Sequence, residues 1–394
     1  MQHDAVLAGI RDIQDEMIEL RHRIHAHPEL SFEEFVTSDL IADCLQRWGY
    51  AVHRGLGGTG VVGTLHNGEG RAMGLRADMD ALPIQEATGL AYASKFEGKM
   101  HACGHDGHTA SLLAAAKYLA EYKPFKGTLH MIFQPAEENG GGAHEMLKDG
   151  LFELFPCDAV FALHNMPGHP VGKFGFLAGP YMASADDVII RVRALGGHGA
   201  MPHKAVDPVV VSASIVMALQ SVVSRNVHPL DTAIITVGSI HAGKASNVIP
   251  DSAEMHLSVR AHSAQVRDLL QSRITELAQN QAKSFGANAD VEYTRSYPVL
   301  INHVEETALA REVALEWLGE AGLIENMVPL TGSEDFAFLL EKCPGSYLII
   351  GNGEGEGEGG CMVHNPGYDF NDECLPLAAT YWVKLTERFL PLNP

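Results

Sequence analysis

Near the start of the chain, Ile10, Ile13, Met17, Leu20 and Ile24 recur three or four residues apart. That period predicts an amphipathic helix over 8–24. After the break at Pro28 the spacing returns and predicts a second helix over 32–48, ending before Gly49. The pattern then changes. Short apolar runs predict strands at 61–65, 73–77, 129–133 and 159–163, with Ala- and Leu-rich helices at 109–122 and 143–148 between them. Such alternation predicts an α/β sheet sandwiched between helices.

The segment 184–295 has a different rhythm. Its periodicity predicts strand 187–194, helix 208–225, strands 233–240 and 253–261, helix 264–286 and strand 290–295. A β-α-β-β-α-β order of this kind is a ferredoxin-like α+β unit that can fold by itself. The expected organisation is therefore one α/β domain made of 1–183 and 296–394, with 184–295 inserted. Length agrees, since 394 residues exceed what one core organises. The low-complexity stretch GEGEGEGG at 353–360 reads as a flexible acidic loop.

Charge and composition narrow the function. A formal charge of -21 leaves nothing to neutralise phosphates and argues against a nucleic-acid partner. The N-terminal stretch, with Arg11, Asp12, Asp15, Glu16 and Glu19, does not resemble a signal peptide. No run approaches the roughly 20 apolar residues of a membrane span. The six cysteines form no CxxC pair, which favours reduced thiols in a cytoplasm.

The richest chemistry lies at 100–108, MHACGHDGH. Cys and His hold borderline-soft divalent metals near neutral pH, and Gly104 between Cys103 and His105 removes the side chain that would obstruct a tight turn. His101 and His108 suit supporting positions better than ligation. Glu137 and Glu138 follow a predicted strand; adjacent side chains diverge, so one carboxylate can bind metal while the other faces substrate and moves a proton. His164 follows another strand, and His364 lies beyond the acidic glycine stretch. Asp78 also follows a strand, so these residues should meet where sheet ends converge. Cys103, His105, Glu138, His164 and His364 are too many for one catalytic zinc with an open position; two metals sharing a ligand fit better. In the inserted segment, His198 and Asn247 could donate hydrogen bonds to an oxyanion, and Arg295 could fork onto a carboxylate. No G-x-S-x-G elbow, Walker motif or dinucleotide fingerprint stands out.

In order along the chain, these residues resemble the M20 metallopeptidase family, most closely its amidohydrolase branch of hippurate hydrolases, N-acyl-amino-acid amidohydrolases and plant auxin-conjugate hydrolases. The likeness runs from RHRIHAHPEL at 21–30 through LRADMDALP at 75–83, MHACGHDGH at 100–108 and QPAEE at 134–138. It continues with GGHGAMPH at 196–203, NVIPDSA at 247–253, GSEDFAF at 332–338 and CMVHNPGYDFND at 361–372, reaching Tyr381 and Trp382.

The resemblance implies a mixed-sheet catalytic domain holding two divalent ions (Zn, Mn, Co or Ni). It also implies an inserted lid domain through which the chain forms a homodimer or higher homo-oligomer. Cys103 would bridge the ions where other M20 enzymes use an Asp, and His105, Glu138, His164 and His364 would complete the ligand set. Arg76 stands where the wider family has a ligand His, and Asp78 would lie behind the ligands. Glu137 would be the general base, His198 the oxyanion stabiliser, Asn247 a substrate holder and Arg295 a carboxylate binder. The implied reaction is hydrolysis of the amide bond of N-acyl or N-aroyl amino acids, with hippurate the first candidate. Dipeptides or N-acetyl amino acids are alternative substrates, and a metal-binding relative without turnover is the alternative outside enzymes.

Overall fold

Four strands without a solvated face build the first sheet: Ala72–Asp78, Gly127–Gln134, Ala159–Pro167 and Gly345–Gly353 are buried along nearly their whole length. Strands covered on both faces can run parallel beneath helices, and these four do, each beside the next in the order 127–134, 72–78, 159–167, 345–353. Antiparallel strands flank them: Ala51–Leu56 and Gly60–Asn67 at one edge, Phe174–Gly175 at the other. The sheet is therefore mixed. Helices Gln14–His25, His105–Tyr122 and Cys374–Phe389 complete this core.

The computed structural model of the protein describes residues 4–392. The chain divides into two compact units: Met1–Gly179, Asn302–Val328 and Phe338–Pro394 form one, Pro180–Ile301 with Pro329–Ala337 the other. The second is wider than the expected 184–295. Residues 329–337 join it because the Ala183 N–H donates to the carbonyls of Leu330 and Gly332, and the His262 ring bonds Leu330 O at 2.7 Å.

Within the second unit, strands 233–242, 252–261, 184–193 and 288–297 lie side by side in that order, all antiparallel. Helices Pro208–Arg225 and Ala264–Ser284 cover one face, where Val188, Ile190, Val192, Met255 and Leu257 meet Ile215, Leu219, Leu270 and Ile274. Arg267 ties the second helix to the sheet through a buried ion pair with Asp186.

Several expectations need correction. The helix expected over 8–24 is two, Ala5–Arg11 capped by Asp4 and Gln14–His25, because the chain turns at residues 12–13. The next helix starts at Phe35 rather than 32, since Phe32 has φ 65°, outside any right-handed helix. His164 lies inside its strand and His105 is the first residue of a helix. Pro208–Arg225 is, by length and composition, apolar enough to cross a membrane, contrary to the expectation that no run approaches one. One of its faces packs on its own sheet through Val211, Ile215, Leu219 and Val222.

Candidate metal centre

The parallel strands end at a common edge, and their ends carry the candidate ligands. Strand 72–78 leads into Asp78 and Asp80, strand 127–134 into Glu137 and Glu138, and strand 159–167 carries His164 near its end. The loop bearing His364 follows strand 345–353. Convergence of loops at the carboxyl ends of parallel strands gathers residues distant in sequence. Gly104 starts the buried helix His105–Tyr122 with φ 90°, and a Cβ there would strike Asn165 and the Tyr368 hydroxyl. Only glycine fits.

Cys103, His105 and His164 bring their ligand atoms within 4.8 Å of one another, and so do Cys103, Glu138 and His364. Cys103 belongs to both groups. Its Sγ lies 3.3 Å from His164 Nε2, and Glu138 Oε1 lies 3.2 Å from His364 Nε2. Glu137 joins a further group with His105 and Glu138. The structure thus gathers all five expected ligands and Glu137.

Fixed partners aim the rings. His164 Nδ1 bonds Asn165 O at 2.5 Å, which turns Nε2 toward Cys103. His105 Nδ1 meets Asp80 Oδ1 at 3.1 Å, leaving Nε2 buried with no hydrogen-bond partner. Such outer contacts set the tautomer and direction of a ligating imidazole. His108 Nδ1 pairs with Asp78 at 2.6 Å and its Nε2 accepts the Asn165 N–H at 3.0 Å, so His108 supports the ligands. Asp78 is buried and also pairs with Arg76 at 2.7 Å. His101 is buried with neither nitrogen partnered, and burial pushes its pKa down to about 4.

The electrostatics fit cations. Burial disfavours a charged His105, yet Asp78, Asp80 and Glu138 outweigh it and lift the imidazole to about 10. Burial, then Glu138, Glu137 and Asp78, holds the Cys103 thiol well above its usual range. The donors thus carry a surplus of negative charge, and a coordinating cation is what deprotonates such a thiol. Together with the unpartnered His105 Nε2, this donor set makes two clusters consistent with a dinuclear metal site.

The remaining expected residues belong to the second unit. His198 and Asn247 are exposed neighbours: Val248 pairs with His198, and the Gly199 N–H donates to Asn247 O at 2.8 Å. His198 Nδ1 accepts the Ala200 N–H, so the neutral ring carries its proton on Nε2. Arg295 is not brought to this loop. It pairs with Asp186 near the start of strand Ser184–Arg193, whereas His198 lies beyond that strand's other end. Its guanidinium bonds Asp268 at 2.6 Å and Gln271 at 2.8 Å.

Sequence reasoning missed Asp80, Ser31 and Tyr368. Asp80 accepts from His105, from the Glu138 N–H at 3.1 Å and from Ser31 at 2.9 Å. The available signal was a second acidic residue two positions beyond Asp78 at a strand end. Tyr368 accepts from Asn165 Nδ2 at 2.5 Å, a contact that sequence does not disclose.

Comparison with known proteins agrees with this geometry. The family described as Peptidase family M20/M25/M40 matches residues 74–388. The chain is 46% identical over 386 residues to hippurate hydrolase of Campylobacter jejuni, covering 98% of this chain and 99% of that one. It is 39% identical over 388 residues to N-acetyl-L-cysteine deacetylase of Bacillus subtilis, covering 98% and 91%. Among solved structures, the Bacillus subtilis YXEP protein, described as a dinuclear metal binding peptidase, superposes with a TM-score of 0.83 at 33% identity, covering 96% and 99%. With its donor clusters at the ends of a mixed sheet and these likenesses over nearly its whole length, the chain belongs to peptidase family M20/M25/M40, in its amidohydrolase branch.

Proposed function

We propose that the protein hydrolyses the amide bond of N-acyl or N-aroyl amino acids, with hippurate the preferred class, releasing a carboxylic acid and an amino acid. The observation that carries this reading is Cys103 as common member of two donor groups, with the buried Glu137 beside them. The 46% identity to a hippurate hydrolase supports the aroyl substrate.

In this reading Cys103, His105, Glu138, His164 and His364 would hold two divalent ions, Cys103 being common to both donor groups. Ions held there would supply Lewis acidity toward the scissile carbonyl and the attacking water. Glu137 takes the proton as that water's oxygen bonds the carbonyl carbon, and gives it to the amide nitrogen as the C–N bond breaks. Asp80 and Asn165 hold the His105 and His164 rings in register. His198 and Asn247 donate hydrogen bonds to the carbonyl oxygen as it gains charge. Arg295, engaged by Asp268 and Gln271, stands apart from this set.

We also propose a homodimer through the second unit. Strand 233–242 is an unpaired sheet edge, and helix 208–225 exposes Val209, Val210 and, at 72%, Met217. An open edge beside an apolar helix face favours a self-complementary contact. Sedimentation of the whole protein should give a dimer mass; a monomer at micromolar concentration rejects it.

The test is amino acid release by metal-reconstituted protein from hippurate, N-acetyl amino acids and dipeptides. Metal-dependent glycine release from hippurate is expected. Release from dipeptides alone would overturn the substrate class. Glu137→Gln should keep its metal and lose about 10²- to 10⁴-fold in kcat; unchanged hydrolysis rejects the proton shuttle.

A further inference from the structure

Between the first helices, the segment around Ser31–Glu34 carries a carboxylate with no evident partner in sequence. Glu34 is fully buried, and among the described residues no Lys or Arg pairs with it. Its oxygens accept three hydrogen bonds. Oε1 takes the Phe32 N–H at 3.0 Å and the Ala136 N–H at 2.9 Å, and Oε2 takes the Thr59 hydroxyl at 2.6 Å. Burial, with a smaller push from Asp80, raises its pKa to about 7. A buried carboxylate without a cation is unfavourable unless its acceptors are used. These acceptors hold two backbones.

Both backbones are unusual. Phe32 has φ 65° and Ala136 φ 52°, two of five non-glycine residues in the left-handed region among the described residues. For a residue with a Cβ that conformation is sterically unfavourable, so surrounding contacts must impose it. Pro135 has no N–H, which makes that of Ala136 the first backbone donor after strand 127–134. Glu34 accepts it, and on the other side the Gly142 N–H donates to Ala136 O at 2.9 Å. The Phe32 ring lies against Gly140 of the same loop, where a Cβ would collide with it. Glu137 and Glu138 leave the chain immediately after Ala136.

We propose that Glu34 is a positioning residue, whose carboxylate locks Ala136 in the left-handed conformation and thereby aims Glu137 and Glu138 at the metal centre. This rests on the roles given to Glu137 and Glu138 above. Glu34 touches neither substrate nor metal in this scheme. A glutamine in its place can keep the geometry, because its carbonyl oxygen accepts both backbone N–H groups while its amide donates to Thr59. Alanine cannot. Glycine at 136 adopts φ 52° without steric cost, so Ala136→Gly should partly replace what Glu34 imposes.

The experiment is a set of variants of the metal-loaded protein, read by kcat, KM and calorimetric metal affinity. Glu34→Ala should lower kcat by about 10²-fold with little change in KM, and should weaken metal binding. Glu34→Gln should stay within a few-fold of wild type. Adding Ala136→Gly to Glu34→Ala should recover at least about tenfold of the lost kcat. A merely structural Glu34 would lower the melting temperature without this recovery. Equal kcat in Glu34→Ala and the double variant overturns the proposal, as does a folded Glu34→Ala with wild-type kcat and metal affinity. If Glu34→Ala does not fold, Glu34→Asp retracts the carboxylate by one methylene: lowered kcat beside an active Glu34→Gln supports the clamp, and parity of all three rejects it. Glu137→Gln separates the two readings. If it stays active while Glu34→Ala loses metal affinity and Ala136→Gly restores it, the general base is wrong and the clamp stands through Glu138.

Discussion

The metal centre and the His198–Asn247 loop are both built from glycine-softened segments rich in His, yet their surroundings differ. At the centre two of the rings are buried and aimed by fixed partners, His105 by Asp80 and His164 by the Asn165 carbonyl, while His364 is exposed beside Glu138. In the second unit His198 and Asn247 are exposed and held mainly through the backbone, by the Val248–His198 pairing and the Gly199 N–H. The difference teaches that the first site is organised before anything binds. Buried donors with satisfied outer contacts lose little freedom on taking up an ion, whereas the donors proposed on an exposed loop are not fixed in advance.

The sharpest way to break this comparison is Cys103→Ala. Both donor groups lose their common member, so bound metal should fall below two equivalents, with hydrolysis at the metal-free background. Metal analysis beside kinetics checks it, and full activity with full metal would remove Cys103 from the centre. His198→Ala should cost less, about 10²- to 10³-fold in kcat with metal content unchanged. Loss of metal in that variant would blur the distinction between the two regions.

Glu34 supplies a pH test on stability. Its pKa is 4.5 unfolded and about 7 folded, so between those values the native state holds the extra proton. Stability from this group is therefore fully present below 4.5 and is lost as pH rises to about 7, by roughly 3 kcal/mol at most. Glu34→Gln should flatten that part of the unfolding profile, and an unchanged slope in denaturant titrations would show that Glu34 does not titrate there. The smallest effect belongs to Arg295→Ala. Its exposed ion pair with Asp268 is worth at most about 1 kcal/mol, and KM should move less than about threefold. A KM rise of tenfold or more would restore the carboxylate-binding role that the resemblance implies.

Much of the candidate site was legible because its chemistry is local. Cys103, Gly104 and His105 are adjacent, Glu137 and Glu138 are adjacent, and each run borders an apolar strand or helix whose period can be read. The elements of the second unit were equally legible: helix 208–225 has the expected bounds, and strands 252–261 and 288–297 contain the expected ones with small extensions. Asp80 and Glu34 escaped because an acidic residue looks the same in sequence whether it is solvated or buried. The edge strand Ala51–Leu56 escaped because it is mostly exposed and lacks an apolar run. Helix 35–47 was placed too early because periodicity does not report the left-handed Phe32.

By itself, then, the sequence determined the class of fold and the donor types, since hydrophobic period and side-chain chemistry are properties of short segments. Tertiary structure decided which donors share Cys103, that His105 Nε2 is left unpartnered, and that Glu34 spans 102 residues to hold Ala136. Those depend on distances between segments far apart in the chain, and on burial, which turns an ordinary carboxylate into one whose every acceptor must be met.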